Sequence, residues 1–167
     1  MDCNPARAIR YACRINHTVR PVLKIKEIIM NNVKTLQAAH AAFSAHDLVA
    51  ATDDMRDDVV FYSHAAGVTL DSAAAFREFM GMYYAMSSDI RIIDAEYIAA
   101  GDKVVAQFHA VGVNDGPFLG FPATGREFSL DVAEVWRFDD QGRLAEGHNY
   151  ADSLGLLIQF GHIAVPA

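Results

Sequence analysis

The residue types best suited to moving protons gather in the last third of the chain. Glu134, His148, Tyr150 and Asp152 follow one another there, and Asp152 stands just before the apolar stretch "SLGLLIQFG". A carboxylate in an apolar pocket can take a proton from carbon beside a carbonyl and deliver one to a developing alkoxide. Desolvation lifts its pKa toward working pH and makes both steps accessible. A histidine can tune that carboxylate or hydrogen-bond a substrate oxygen. Asp152, His148 and Glu134 are therefore the catalytic candidates. Asp is also a favoured helix N-cap, so Asp152 has a purely structural alternative. A satisfied His–Glu pair is the corresponding alternative for His148 and Glu134. Tyr150, Tyr62, His64, His109, Trp136 and Phe118 are the candidate substrate-binding residues, the tyrosines as carbonyl donors or as aromatic wall.

Other chemistries lack their residues. The histidines and carboxylates match no helical ligand spacing, so no metal is expected. There is no Gly-x-Ser-x-Gly elbow and no Cys–His candidate in the body, and no phosphate-binding glycine pattern.

The elements that must position these groups are legible from periodicity. Residues 33–47 space Val33, Leu36, Ala39 and Phe43 at helical intervals, with Asn31 or Asn32 as cap and His40 at the border of the apolar face. A short second helix is expected over Leu48–Met55, and "DVVFYSH" (58–64) reads as a strand. Residues 71–86 form a second strong helix, with Phe76, Phe79, Met80 and Tyr83 on one face and Asp71 or Ser72 as cap. Strands are predicted over Ile90–Ala99, Lys103–Val113, Glu127–Phe138 and Arg143–Ala151, followed by a short helical or irregular segment, Ser153–Phe160. Helices first and an antiparallel meander last favour an α+β fold: helices on one face of a curved sheet, with a pocket at its open end.

The last hairpin can be read in more detail. Asp140-Gln141-Gly142 suits a type I turn closed by a left-handed Gly, which pairs Asp139 with Arg143. Regular pairing beyond the turn sets Trp136 against Glu146, Glu134 against His148, Val132 against Tyr150 and Leu130 against Asp152, all on one face. Glu134 and His148 would then touch across the strands. The opposite face carries Arg137, Val135, Ala133, Asp131, Ala145, Gly147, Asn149 and Ala151. It is small and flat enough to pack on another subunit's sheet.

Bulk properties bound the rest. The 167 residues suit one domain. The formal charge of −7 argues against a nucleic-acid binder. Residues 1–29 hold six basic and two acidic residues, leaving 8 basic and 19 acidic to residues 30–167. This basic arm has three readings: a tail, an amphipathic anchor, or sequence upstream of the natural start; the domain itself is placed at 30–167. Cys3 and Cys13 both lie in the arm, so the core holds no disulfide. No apolar run approaches membrane-spanning length, and the arm lacks the apolar core of a secretory signal. A cytoplasmic location is the default expectation.

The segment "GPFLGFPATGREFSLDVAEVWRFDDQGRLAEGHNYADSLGLLIQFG" (116–161) resembles the SnoaL-like polyketide cyclases, of the nuclear transport factor 2-like or ketosteroid isomerase-like superfamily. The specific motifs are "FLGFPATGR", the strand ending in "VWRF", the acidic turn with Gly, and Asp followed by "LGLLxQxG"; the element order from residue 33 also fits. The resemblance implies a cone-shaped α+β barrel, a curved and mainly antiparallel sheet with N-terminal helices on its concave face and a deep apolar pocket. It further implies a homodimer or tetramer, no metal, no cofactor, and ring closure of a hydrophobic carbonyl substrate by intramolecular aldol condensation. A pocket Asp of the C-terminal motif would be the acid/base group, at Asp152 here. The family often has Trp where this chain has His148. The superfamily also includes isomerases, dehydratases, epoxide hydrolases and non-catalytic ligand binders, so fold alone does not choose the reaction.

Overall fold

The computed structural model describes residues 27–28 and 31–164, so nearly all of the basic arm lies outside the described residues. Helix α1 covers 31–44 and turns Asn32, Leu36 and His40 inward, one turn apart, each at most 8% exposed. Helix α2, Leu48–Ala51, is shorter than predicted. Asp47 caps it from Oδ1 to the Ala50 N–H, and the chain turns into a strand already at Met55. That strand, β1 (Met55–Ser63), folds back on β2 (Val68–Leu70), a short edge strand that the sequence pattern did not reveal. Helix α3 is Ala73–Met86, and Ser72 caps it by accepting from the Ala75 N–H.

Strands β3 (Arg91–Ala100), β4 (Lys103–Val113), β5 (Glu127–Phe138) and β6 (Leu144–Ala151) follow, and helix α4 (Ser153–Phe160) closes the described fold. The six-stranded sheet runs β2-β1-β6-β5-β4-β3. Every pair is antiparallel except β1 with β6. Irregularities in β1, β3 and β6 bend it. It is open: β2 and β3 are its edges, so the expected cone is a curved sheet rather than a closed barrel.

Alternation decides what faces the helices. Phe128, Leu130, Val132, Glu134, Trp136 and Phe138 of β5 are all buried, beside Val104, Ala106, Phe108 and Ala110 of β4. The turn at Asp140–Gly142 forms as predicted, with Gly142 left-handed and Asp139 paired to Arg143. The register beyond it does not follow the prediction. Phe138 faces Leu144, but Arg137 then faces Glu146, so Ala145 is an extra residue in β6. Past that bulge every side chain of β6 changes face. Glu134 pairs with Asn149, Val135 with His148 and Ala133 with Tyr150.

Packing holds this register. A Cβ on Gly147 would lie 2.6 and 2.7 Å from the Trp136 ring and 2.8 Å from Phe61. Only glycine leaves room for the indole there, and with Gly147 inward, Asn149 and Ala151 are inward too.

Candidate functional site

Between α1–α3 and the concave face of the sheet lies a cavity of about 80 Å³. Leu36, Phe43, Phe76, Met80, Ile92, Phe108 and Val132 make most of its wall, and its polar groups are His40, Tyr83, Glu134, Trp136 and Asn149. They converge on one carboxylate. Glu134 Oε2 accepts from Trp136 Nε1 at 2.9 Å and lies 3.3 Å from His40 Nε2; its Oε1 accepts from Asn149 Nδ2 at 3.0 Å. Burial opposes ionisation of Glu134 most strongly. The hydrogen bond and charge of His40, with the Trp136 and Asn149 donors, outweigh it and hold the carboxyl below the ordinary glutamate range.

The contacts fix the proton positions. Nε2 of His40 faces an ionised acceptor and therefore carries a hydrogen. In the neutral ring Nδ1 is then the basic atom, and it lies 2.9 Å from the Tyr97 hydroxyl, which donates to it. Burial, and secondarily the Glu134 charge, raise the Tyr97 pKa, so this hydroxyl keeps its hydrogen. Tyr97, His40 and Glu134 thus form one hydrogen-bonded chain, drawn from β3, α1 and β5. Tyr83 is pushed up to about 12, by burial first and the Glu134 charge second.

The structure distributes the sequence-predicted site residues over three places. Glu134 and Trp136 line the cavity. Phe118 is buried beneath it, against Tyr83 and Phe160, where it serves the core. Tyr62, His64, His148 and Tyr150 lie on the opposite, outer face. The bulge in β6 sends His148 and Tyr150 there, and parallel pairing sets Tyr62 beside His148. Tyr62 stacks on His148 at 4.6 Å, His64 stacks on Tyr150 at 4.3 Å, and His64 Nε2 lies 3.1 Å from His148 Nδ1. His109 is also outward, 2.7 Å from Asp131. The predicted Glu134–His148 contact is therefore replaced by Glu134–His40.

Asp152 is the other displaced candidate. It is exposed and caps α4, with Oδ1 accepting from the Gly155 N–H at 2.8 Å. The alternation that turns Asn149 and Ala151 into the cavity ends at the cap, so the structural alternative weighed for Asp152 describes its position.

His40, Tyr83 and Asn149 are cavity groups that the sequence did not single out as site residues, nor did it single out Tyr97, which reaches the site through His40. His40 carried a signal: it continues the Asn32–Leu36 line at four-residue spacing, on the inward face of α1. Among the described residues no three His, Cys, Asp or Glu side chains are set to hold a metal ion. Nor, among them, is any helix long and apolar enough to cross a membrane.

Comparison with known proteins places this geometry among relatives. The sequence model of the SnoaL-like polyketide cyclases matches residues 33–160. Aklanonic acid methyl ester cyclase DnrD of Streptomyces peucetius is 33% identical over 78 residues, 47% of this chain and 53% of that protein. The match thus spans about half the length of that relative. Among solved structures, AclR of Streptomyces galilaeus, a proposed hydroxylase, superposes with a TM-score of 0.74 at 22% identity, over 83% of this chain and 86% of AclR. A proposed SnoaL-like polyketide cyclase of Jannaschia sp. CCS1 gives 0.74 at 20% identity, over 83% and 96% of the two chains. These two likenesses establish the shared fold.

Proposed function

Because the chain belongs to the SnoaL-like polyketide cyclase family, we propose that it is a cyclase-type enzyme whose proton carrier is the buried His40–Glu134 pair. The observation that carries this reading is the position of that pair. Among the described residues it is the one acid/base pair lining this mostly apolar cavity. Glu134 keeps the hydrogen on Nε2 and stabilises the imidazolium that forms when Nδ1 takes a second proton. Tyr97 occupies Nδ1 until a substrate C–H beside a carbonyl displaces its hydroxyl. The resulting carbanion attacks a second carbonyl carbon of the same molecule, a C–C bond closes the ring, and the new alkoxide recovers the proton from Nδ1. Atoms balance without a further reactant.

The substrate class proposed is a hydrophobic, polyketide-like carbonyl compound: the apolar wall supports the first property and the family the second. Pockets for such ligands usually enclose roughly 300–1,000 Å³. The cavity of about 80 Å³ therefore takes the reacting portion alone, unless the Phe43 and Leu48 side chains swing aside.

The test needs no natural substrate. Enolisable ketones, indanone and acetylacetone among them, are incubated with the protein in heavy water, and deuterium entry beside the carbonyl is followed by NMR. The wild type accelerates exchange, and His40→Gln reduces the acceleration by roughly 100- to 10,000-fold, the usual weight of a general acid/base. Exchange that survives the substitution removes His40 from the role. Ketones that bind without any exchange make the protein a ligand carrier instead.

The outer sheet face supports a second copy as partner. Along β5 the outward residues run from Glu127 and Asp131 through Ala133 and Val135 to Arg137, and β4 sets Lys103 beside Arg137 and His109 beside Asp131. A two-fold axis at Ala133–Gln107 would lay the basic end of each copy over the acidic end of the other, as an isologous dimer requires.

A further inference from the structure

We propose that Tyr83 is the oxygen-binding donor of the cavity, its hydroxyl holding the carbonyl or enolate oxygen of a hydrophobic ligand whose neighbouring carbon meets His40. This inference rests on the acid/base reading above and adds to it the group that receives the oxygen.

The polar inventory of the cavity leads to Tyr83. Three donors already engage Glu134: His40, Trp136 and Asn149, whose amide gives one of its two N–H hydrogens to that carboxylate. His40 is held at both nitrogens. The neighbouring Tyr84 gives its hydroxyl to the Phe43 carbonyl at 2.6 Å, and Tyr97 gives its own to His40. Tyr83 lines the cavity, and among the described residues no group hydrogen-bonds its hydroxyl. Its ring is fixed between Phe79 and Phe118, at centroid distances of 5.9 and 6.0 Å. The Tyr83 side chain is half-buried, and an acceptor oxygen brought by a ligand would take the place of the water its hydroxyl otherwise meets.

The electrostatics suit a donor and exclude an acid. With its pKa pushed up to about 12, Tyr83 stays protonated wherever the protein is folded and active. As the carbon beside a carbonyl loses its proton to His40, negative charge grows on the carbonyl oxygen. An O–H held against that atom stabilises the charge, and does so more strongly the more the bound ligand excludes water. Such a donor also sets specificity. A hydrocarbon of the same shape fills the apolar wall and gains nothing from Tyr83, so oxygenated ligands are preferred.

The probe pair is indanone and indane, alike apart from the carbonyl. Tyr83→Phe is expected to bind indane as the wild type does and indanone roughly ten-fold more weakly, the equivalent of about 1.4 kcal/mol. The carbonyl stretch of bound indanone lies at lower frequency in the wild type than in the variant. Equal affinity and equal frequency in the two proteins overturn the assignment. Should the variant fold poorly, isotope-labelled tyrosine in the wild type gives the same answer, since the Tyr83 ring carbon bearing oxygen moves with indanone and not with indane. The two readings fail separately. Loss of the Tyr83-dependent discrimination with deuterium exchange intact overturns the Tyr83 assignment alone, whereas intact discrimination without exchange overturns the catalytic reading alone.

Discussion

Replacing Gly147 by alanine tests the feature on which the whole site depends, the register of β6 past its bulge. The added methyl would stand 2.6–2.8 Å from Trp136 and Phe61, which are 2% and 0% exposed. Neither ring has free space, because Phe76 packs edge-on against both at 4.8 and 5.9 Å. Overpacking of this kind costs about 1–3 kcal/mol. If the indole shifts to relieve it, Trp136 Nε1 loses its 2.9 Å bond to the Glu134 carboxylate. A hydrogen bond to a charged group is worth about 1.5–3 kcal/mol more. The sum is a destabilisation of about 2.5–6 kcal/mol, which for a chain of this size lowers Tm by roughly 5–24 °C. The readout is built in, since Trp136 is the sole tryptophan of the chain. Denaturation followed by its fluorescence gives the stability, and its near-ultraviolet circular dichroism reports ring packing. A Gly147→Ala protein with wild-type Tm and an unchanged Trp136 signal would show that residue 147 faces outward. Glu134 would then face His148, and the His40 site would fall with the register.

Asp152→Asn is expected to leave both stability and deuterium exchange near wild type, because Asn caps helices about as well as Asp; a large loss of exchange in a folded Asp152→Asn protein would return Asp152 to the catalytic role. Glu134 ionises more readily folded than unfolded, so it contributes stability above its ordinary value of 4.5, and that stability is lost as pH falls through the lower folded value. Urea titrations across acid pH should show this decline in the wild type and a shallower one in Glu134→Gln, whereas superimposable profiles would refute the ionised, donor-ringed carboxylate. Sedimentation should show a dimer that Ala133→Asp dissociates, because a residue near the two-fold axis meets its own copy; a monomeric wild type would refute the outer-face interface.

Much of the molecule follows from local pattern. The 3.6-residue spacing of Phe76, Phe79, Met80 and Tyr83 specifies α3, and alternation along β4 and β5 specifies which residues of those strands are buried. Asp139 to Arg143 is a turn by its own chemistry, and Glu134 is inward because it shares parity with Val132, Trp136 and Phe138. The basic character of the arm was equally a matter of composition.

Two facts about the site lay beyond local pattern. The faces of β6 depend on one extra residue at Ala145, and that bulge is held by contacts of Gly147 with Trp136 and Phe61, side chains from two other strands. A period-two pattern carries no record of such a slip, so His148, Tyr150 and Glu146 read as inward when tertiary packing turns them out. The pairing of His40 with Glu134 joins residues 94 positions apart. Sequence could propose that Glu134 wanted a histidine; only the docking of α1 on the concave face decided which one. For Asp152 the sequence held both the cap and the acid as alternatives, and the end of β6 at Ala151 put the carboxylate on the helix terminus, outside the cavity.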